Sequence, residues 1–180
     1  MNIILLINMN FPAALTASRI ALRLLVIVNW VYGAAIFVLG IASFAAETPV
    51  MTALGIPPSG ETAPLIRGMQ AIMLLGLVSI PLHYIILRRL LDIVESVRAG
   101  DLFVGQNASR LQIIAWALLG IQLLSVVIGA IASGVSTPAH PLRLNAGFST
   151  SGWLAVLLLF VLTRVFAEGA RMRQDLEGTV

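Results

Sequence analysis

The chain has 180 residues, 59% of them apolar and 11% charged, with a net charge of +3 and no cysteine. Soluble domains average about 45 to 50% apolar and about 25% charged residues, so this chain lacks the polar surface of a water-soluble fold and reads as a membrane protein. The missing cysteines exclude disulfides, thiolate metal sites, thiol nucleophiles and dithiol redox chemistry, and the 11 basic residues, all arginine, are scattered singly or in pairs, so no direct nucleic-acid binding is expected.

In chain order, residues 1–19 form a variable apolar lead-in. Ile3 to Ile7 are apolar but follow no basic region, and Asn8, Asn10 and Pro12 interrupt them, which makes a poor signal peptide and predicts an interfacial or disordered segment. Residues 20–180 form a single membrane domain organised by four charge-free windows, 24–46, 68–87, 111–132 and 144–163. At about 1.5 Å per residue each window spans a hydrocarbon core of about 30 Å, and lipid cannot satisfy bare backbone groups, so each is expected to be helical. The predicted helices cover about 20–46, 64–99, 107–132 and 149–176. The fold expected is all-α: a polytopic, antiparallel four-transmembrane-helix bundle.

Arginine counting orients it. Arg19 and Arg23 precede the first span, Arg88, Arg89, Arg98 and Arg110 lie between the second and third, and Arg164, Arg171 and Arg173 follow the fourth, whereas the opposite side holds Arg67 and Arg143. This asymmetry predicts both termini and the central connection on the cytoplasmic side. The outer loops carry turn residues instead: Pro57, Pro58, Ser59 and Gly60, then Pro138, His140 and Pro141.

The second span continues past the hydrocarbon, because Leu90, Leu91, Val94 and Val97 keep a helical face to Ala99, with Asp92 able to pair with Arg88 and Glu95 with Arg98. Gly100 then ends it as a C-terminal capping glycine. Pro81 lies inside this span and predicts a kink. Beyond the fourth span Glu168, Arg171 and Asp175 share one helical face.

Polar residues within the spans are few. Asn29, Gln70 and Gln122 are expected to hydrogen-bond between helices, and His83 is expected to be a buried structural histidine bonded to a neighbouring helix. The alternative, a solute pathway, requires Asn29, Gln70, His83 and Gln122 to face one cavity. Haem ligation lacks a second histidine at matching depth, because His140 sits in an outer loop. None of the four windows holds a carboxylate for proton coupling. No catalytic motif occurs, and neither cofactor nor metal is expected. Ser125, Gly129 and Ser133 make a small-residue stripe on the third helix that offers a face to a second copy.

Two strings carry a resemblance. Gly100-Asp101-Leu102-Phe103-Val104-Gly105-Gln106-Asn107-Ala108-Ser109-Arg110-Leu111 resembles the G-D-P-F-x-P-x-N-x-x-R-L signature of the YoaS-like bacterial family of unknown function. Val165-Phe166-Ala167-Glu168-Gly169-Ala170-Arg171-Met172 is similar to that family's V-F-x-x-G-x-x-[LM] run, and the likeness covers about residues 20–180. Leu102 and Gly105 stand where the family usually has proline, so a looser turn is expected. The resemblance implies a four-helix protein of the bacterial inner membrane, no enzyme activity, and genetic company with a small Cro-like helix-turn-helix regulator.

From the residues themselves, the two strings read as a cytoplasmic collar of Asp101, Phe103, Asn107, Arg110, Glu168, Gly169 and Arg171. In it Asn107 or Gln106 caps the third helix and Arg110 pairs with Glu168. The expected role is a non-enzymatic membrane regulator or anchor for that helix-turn-helix protein, and the alternative is a small transporter or channel-like protein. The arginine asymmetry is checked by a reporter active only in the cytoplasm, which should work when fused at Val180 or near Gly100 and fail near Gly60; a periplasmic signal at Val180 overturns the orientation.

Overall fold

A hydrocarbon interior holds no water to satisfy peptide groups, so a chain this apolar is driven to satisfy each one inside a helix. The computed structural model describes residues 3–53, 55–56, 59–60, 62–100, 105–138, 141–142 and 144–177, with side chains described from Ala14 to Asp175 among these. Five helices form: α1 (Ile3–Ala45), α2 (Glu47–Ala53), α3 (Ala63–Arg98), α4 (Gly105–Val135) and α5 (Thr150–Glu177). No strand occurs among the described residues. The four long helices α1, α3, α4 and α5 are each long and apolar enough to cross a membrane, so the expected all-α, four-span architecture is what the chain builds. They pack in chain order, α1 on α3, α3 on α4 and α4 on α5, with α2 on α1. The outer faces of α1 and α5 are apolar and exposed, for example at Val31, Val38, Leu157 and Leu158, as suits contact with lipid.

The face of α1 turned to α3 is marked by period, not by apolarity. Its shielded positions include Leu15, Arg19, Leu22, Val26, Asn29, Gly33, Ile36, Gly40 and Ser43, at alternating steps of four and three. That mean period of about 3.5 is the coiled-coil repeat and keeps one seam against a partner helix. Several seam residues are small, so the backbones approach closely, and a Cβ on Gly33 would lie 3.0 Å from an Ile80 methyl. Pro81 does not end α3. It removes the donor that Leu77 would otherwise receive, and polar side chains crowd the same turns. Asn29 Nδ2 donates to the Ile80 carbonyl at 3.2 Å, and Ser79 Oγ donates to the Gly76 carbonyl at 2.6 Å.

Three features depart from the sequence reading. Residues 3–19 are not an irregular lead-in but continue α1, a helix of 43 residues. Ala13, Ala14, Leu15 and Ala17 are good helix formers and carry the helix past Pro12. The first outer loop contains α2, ended by Gly55 at φ +78°, with the Ile56 N–H on the Met51 carbonyl (2.8 Å) and the Gly55 N–H on the Thr52 carbonyl (3.0 Å). This is a Schellman motif. Its apolar partners Met51 and Ile56 join Leu65 and Ile66 in a core that also packs Met69, Val135 and Leu142, fastening the loops to the ends of α3 and α4 away from the arginines.

The third departure is from the helicity expected of the whole fourth charge-free window: its first six residues, 144–149, are not helical, while α5 begins at Thr150, close to the expected start at 149. Gly147, at φ +129°, lies against Gly129, where a Cβ would come 2.6 Å from the Gly147 Cα. Ser125 Oγ accepts from the Gly147 N–H at 3.1 Å and donates to its carbonyl at 3.2 Å. One hydroxyl thus satisfies both polar groups of a residue that runs beside α4 at membrane depth. Ser149 then caps α5, its Oγ accepting from the Gly152 N–H at 3.2 Å. Ser125 and Gly129 of the small-residue stripe are therefore covered by this chain's own loop, leaving Ser133 exposed.

Gly129 separates packing from propensity. Gly129→Ala should lower the unfolding midpoint in detergent, by the equivalent of about 1–3 kcal/mol, because the obstacle is backbone. Gly76→Ala, whose nearest neighbour is an Ile36 methyl at 3.9 Å, should be neutral or stabilising. Equal midpoints for the two variants would overturn this account of the α4 contact.

Candidate functional site

The arginine-rich end of the bundle is built by the extension of α3 beyond its charge-free window and by the first turns of α4. Gly100, at φ +88°, ends α3 as expected, its N–H on the Val97 carbonyl at 3.1 Å. Helix α4 begins at Gly105, so Asn107 is not its cap but lies within its first turn, 0% exposed and turned to α3. Ser96 Oγ donates to the Ile93 carbonyl (2.8 Å) and accepts from Asn107 Nδ2 (2.8 Å), and Asn107 Oδ1 accepts from Arg110 Nη1 (2.8 Å), which also donates to the Asp92 carbonyl (3.2 Å). The Ser96 hydroxyl also lies 3.0 Å from Asn107 Oδ1, so the groups form one connected network in which a fully buried amide costs little.

Ion pairs extend the network to α1. Glu95 Oε1 lies 3.3 Å from Arg19 Nη2, so it pairs with α1 and not with Arg98 as its spacing suggested. Asp92 pairs with Arg89 at 3.4 Å and, as expected, with Arg88 at 3.9 Å. Arg19 Nε is buried without a hydrogen-bond partner. The expected Arg110–Glu168 pair does not form: Arg110 is spent on α3 and α4, and Glu168 lies 3.9 Å from Arg171 on its own helix. The physical reason is helical phase. Arg110 stands three residues after Asn107 and shares its α3-facing side. Glu168 and Arg171 are exposed and Gly169 is half-buried, while Asp101 and Phe103 lie outside the described residues.

The intramembrane polar residues do not converge. Asn29 and Gln70 both serve the α1–α3 seam, Gln70 Nε2 donating to the Ser43 carbonyl at 3.2 Å, but they stand far apart along α3. His83 is exposed and bonds through Nδ1 to the Ser79 carbonyl of its own helix at 2.8 Å, not to a neighbour. Gln122 faces α5 and packs so tightly on Gly152 that no Cβ fits there. Its Oε1 is buried without a partner, as is the Trp153 indole N–H. The single cavity that a solute pathway requires is thus not formed by Asn29, Gln70, His83 and Gln122. Among the described residues no three His, Asp or Glu side chains gather as metal ligands.

Two clefts open at the arginine-rich end. One, of about 510 Å³ between α1 and α3, mixes Arg23 and Arg88 with Asp92 and Glu95. The other, of about 580 Å³ between α4 and α5, is lined by Ser109, Gln112, Thr163, Arg164, Arg171 and Gln174 among others and by no carboxylate among the described residues. Sequence reasoning placed Arg19 and Arg164 at this end by arginine counting but missed the pairing of Arg19 with Glu95 and the part played by Ser96. For Ser96 a signal existed, since a serine near the end of an exposed helical extension can meet the start of the next antiparallel helix.

The buried amide is checked by unfolding in lipid. Asn107→Leu should cost about 1–3 kcal/mol by stranding Ser96 and Arg110, and Ser96→Ala about 1 kcal/mol. The double variant should cost less than the sum of the two. Strict additivity would remove the network.

Comparison with known proteins adds one finding. No curated protein and no solved structure matches the chain. A family model does match, over residues 40–180, and it takes in α2 to α5 together with the Ser96–Asn107–Arg110 network and the α4–α5 cleft. No narrower, YoaS-like grouping is distinguished by that match; the chain belongs to the family described as a protein of unknown function, DUF2975.

Proposed function

We propose that this chain is a non-enzymatic protein of the bacterial plasma membrane, with both termini cytoplasmic, that anchors or regulates a small Cro-like helix-turn-helix protein at its arginine-rich end. One observation carries the reading: Asn107, fully buried, joins Ser96 and Arg110 in a lock that holds the projecting end of α3 rigidly against α4. A platform fixed before binding loses little conformational freedom when a partner docks. The exposed side chains beside it, Glu168 and Arg171, are 60% and 77% accessible and offer both signs of charge to a partner.

The transporter reading has weaker support, because the polar residues within the spans are used to join or pack helices rather than to line one path. The nine arginines of this end against two at the other support the cytoplasmic assignment. The partner class rests on the family resemblance of the two collar strings.

Co-purification from native membranes tests the proposal, with the product of the adjacent helix-turn-helix gene carrying a tag. The wild-type chain should be recovered with it, and Glu168→Arg should reduce recovery about tenfold, which corresponds to about 1.4 kcal/mol. The lock variant Asn107→Leu should also reduce it. Failure to recover the wild-type chain, or equal recovery of all three, overturns the docking reading.

A further inference from the structure

We propose that the cleft between α4 and α5 at the arginine-rich end is a binding site for the phosphate of an anionic phospholipid. This goes beyond the proposed protein partner, whose collar residues overlap the cleft only at Arg171.

Charge comes first. The cleft, about 580 Å³, is lined by Arg164 and Arg171 and, among the described residues, by no carboxylate. Arg164 has no ion pair among the described residues, and Arg171 pairs at 3.9 Å with Glu168, which lies outside the lining. In the neighbouring cleft, by contrast, Asp92 and Glu95 share the lining with Arg23 and Arg88. Gly105, the first residue of the 31-residue α4, also lines the α4–α5 cleft, which brings the positive end of that helix to the same place. Ser109, Gln112, Thr163 and Gln174 add hydrogen-bonding groups around it.

Depth comes second. Arg164 directly follows the charge-free window 144–163, so its guanidinium stands where the hydrocarbon ends and phosphates begin. Arg23, Arg88 and Arg110 flank the charge-free windows of the other three spans, so one plane of arginines marks this boundary. One turn deeper, Phe160 lines the cleft and packs edge-on against Trp116 at 5.3 Å, giving an apolar floor below a polar mouth. A cation-lined mouth over an apolar floor fits a lipid, whose phosphate and chain are joined, better than it fits a free phosphate. Basic pockets between transmembrane helices take anionic headgroups for this reason, and the guanidinium fork matches phosphate oxygens.

The test uses the full chain in detergent, incubated with equimolar phosphatidylglycerol and phosphatidylcholine and read by native mass spectrometry. The wild type should retain phosphatidylglycerol at least about fivefold over phosphatidylcholine, the effect of about one arginine at a membrane surface. Arg164→Glu should bring the ratio near one, while Arg164→Lys keeps most of it. Arg98→Glu makes the same charge change on the exposed end of α3, outside the cleft, and should leave the ratio unchanged. Circular dichroism and the unfolding midpoint confirm that each variant is folded, and millimolar inorganic phosphate should not displace the lipid. Three results overturn the proposal: no preference in the wild type, an equal loss in Arg98→Glu, or displacement by inorganic phosphate, which would make the cleft a site for the free anion.

Discussion

The structure depends on one constraint, the absence of water from the hydrocarbon, and apart from Gln122 Oε1 and the Trp153 indole N–H, which are buried without partners, the polar groups described at that depth show how it is met. The backbone meets it by coiling into α1, α3, α4 and α5. Where the chain is not helical, beside the outer part of α4, Ser125 supplies both halves of the missing hydrogen bonding at Gly147. The amides of Asn29 and Gln70 reach across to carbonyls at Ile80 and Ser43, each lending a donor to a neighbouring helix. Burial of apolar surface contributes little between helices in lipid, because tails are as apolar as leucine, so close approach and these few hydrogen bonds hold the helices together.

That constraint explains what the sequence did and did not disclose about the fold. Charge is excluded from the hydrocarbon, so charge-free windows place the four spans, and Gly100 marks the end of α3 because only a glycine takes φ +88° without strain. The inward seam of α1 was harder to read. In water the buried face of a helix is the apolar one, but here both faces are apolar and the seam is marked by Asn29, Gly33, Gly40 and Ser43 at coiled-coil spacing. Helix α2 was missed because seven residues give no period, and its signal was the Met51–Gly55–Ile56 spacing of a Schellman motif. The continuation of α1 through residues 3–19 was missed because Pro12 and the two asparagines were weighed as breakers more heavily than the alanines that follow.

The candidate site was legible in its location and not in its wiring. Arginine counting and the G-D-…-N-x-x-R-L string pointed to one end of the bundle, and Asn107, Arg110, Glu168 and Arg171 are all found there. Which neighbour each would meet depended on where α4 begins. With the helix starting at Gly105, Asn107, Arg110 and Leu111 face α3, whereas Ala108, Ser109 and Gln112 line the cleft shared with α5. A start two residues later makes Asn107 a cap and leaves Arg110 free for Glu168. The difference between those two wirings is two residues in the start of α4, about half a helical turn, which a single sequence does not fix.

The two halves of the arginine-rich end therefore stand in different states. In the α1–α3–α4 half the ties run between helices, Arg19 with Glu95 joining α1 to α3 and Arg110 with Asn107 and the Asp92 carbonyl joining α4 to α3, while Arg88 and Arg89 pair with Asp92. In the α4–α5 half Arg171 pairs with Glu168 of its own helix. Below the Gln122–Gly152 contact, α5 meets α4 through the edge-on Trp116–Phe160 pair, worth about 0.5–1.5 kcal/mol beyond its area. Beyond that pair, toward the arginine-rich end, the two helices part around the cleft lined by Arg164 and Arg171. α5 is also an outer member of the row, with α4 as its principal neighbour. The elements that open most readily are those with few buried contacts, and the α5 side chains at this end are largely exposed from Arg171 to Asp175. A phosphate held in the cleft as proposed would add a polar tie between Arg164 on α5 and the start of α4, on the same helix that carries the exposed Glu168 and Arg171.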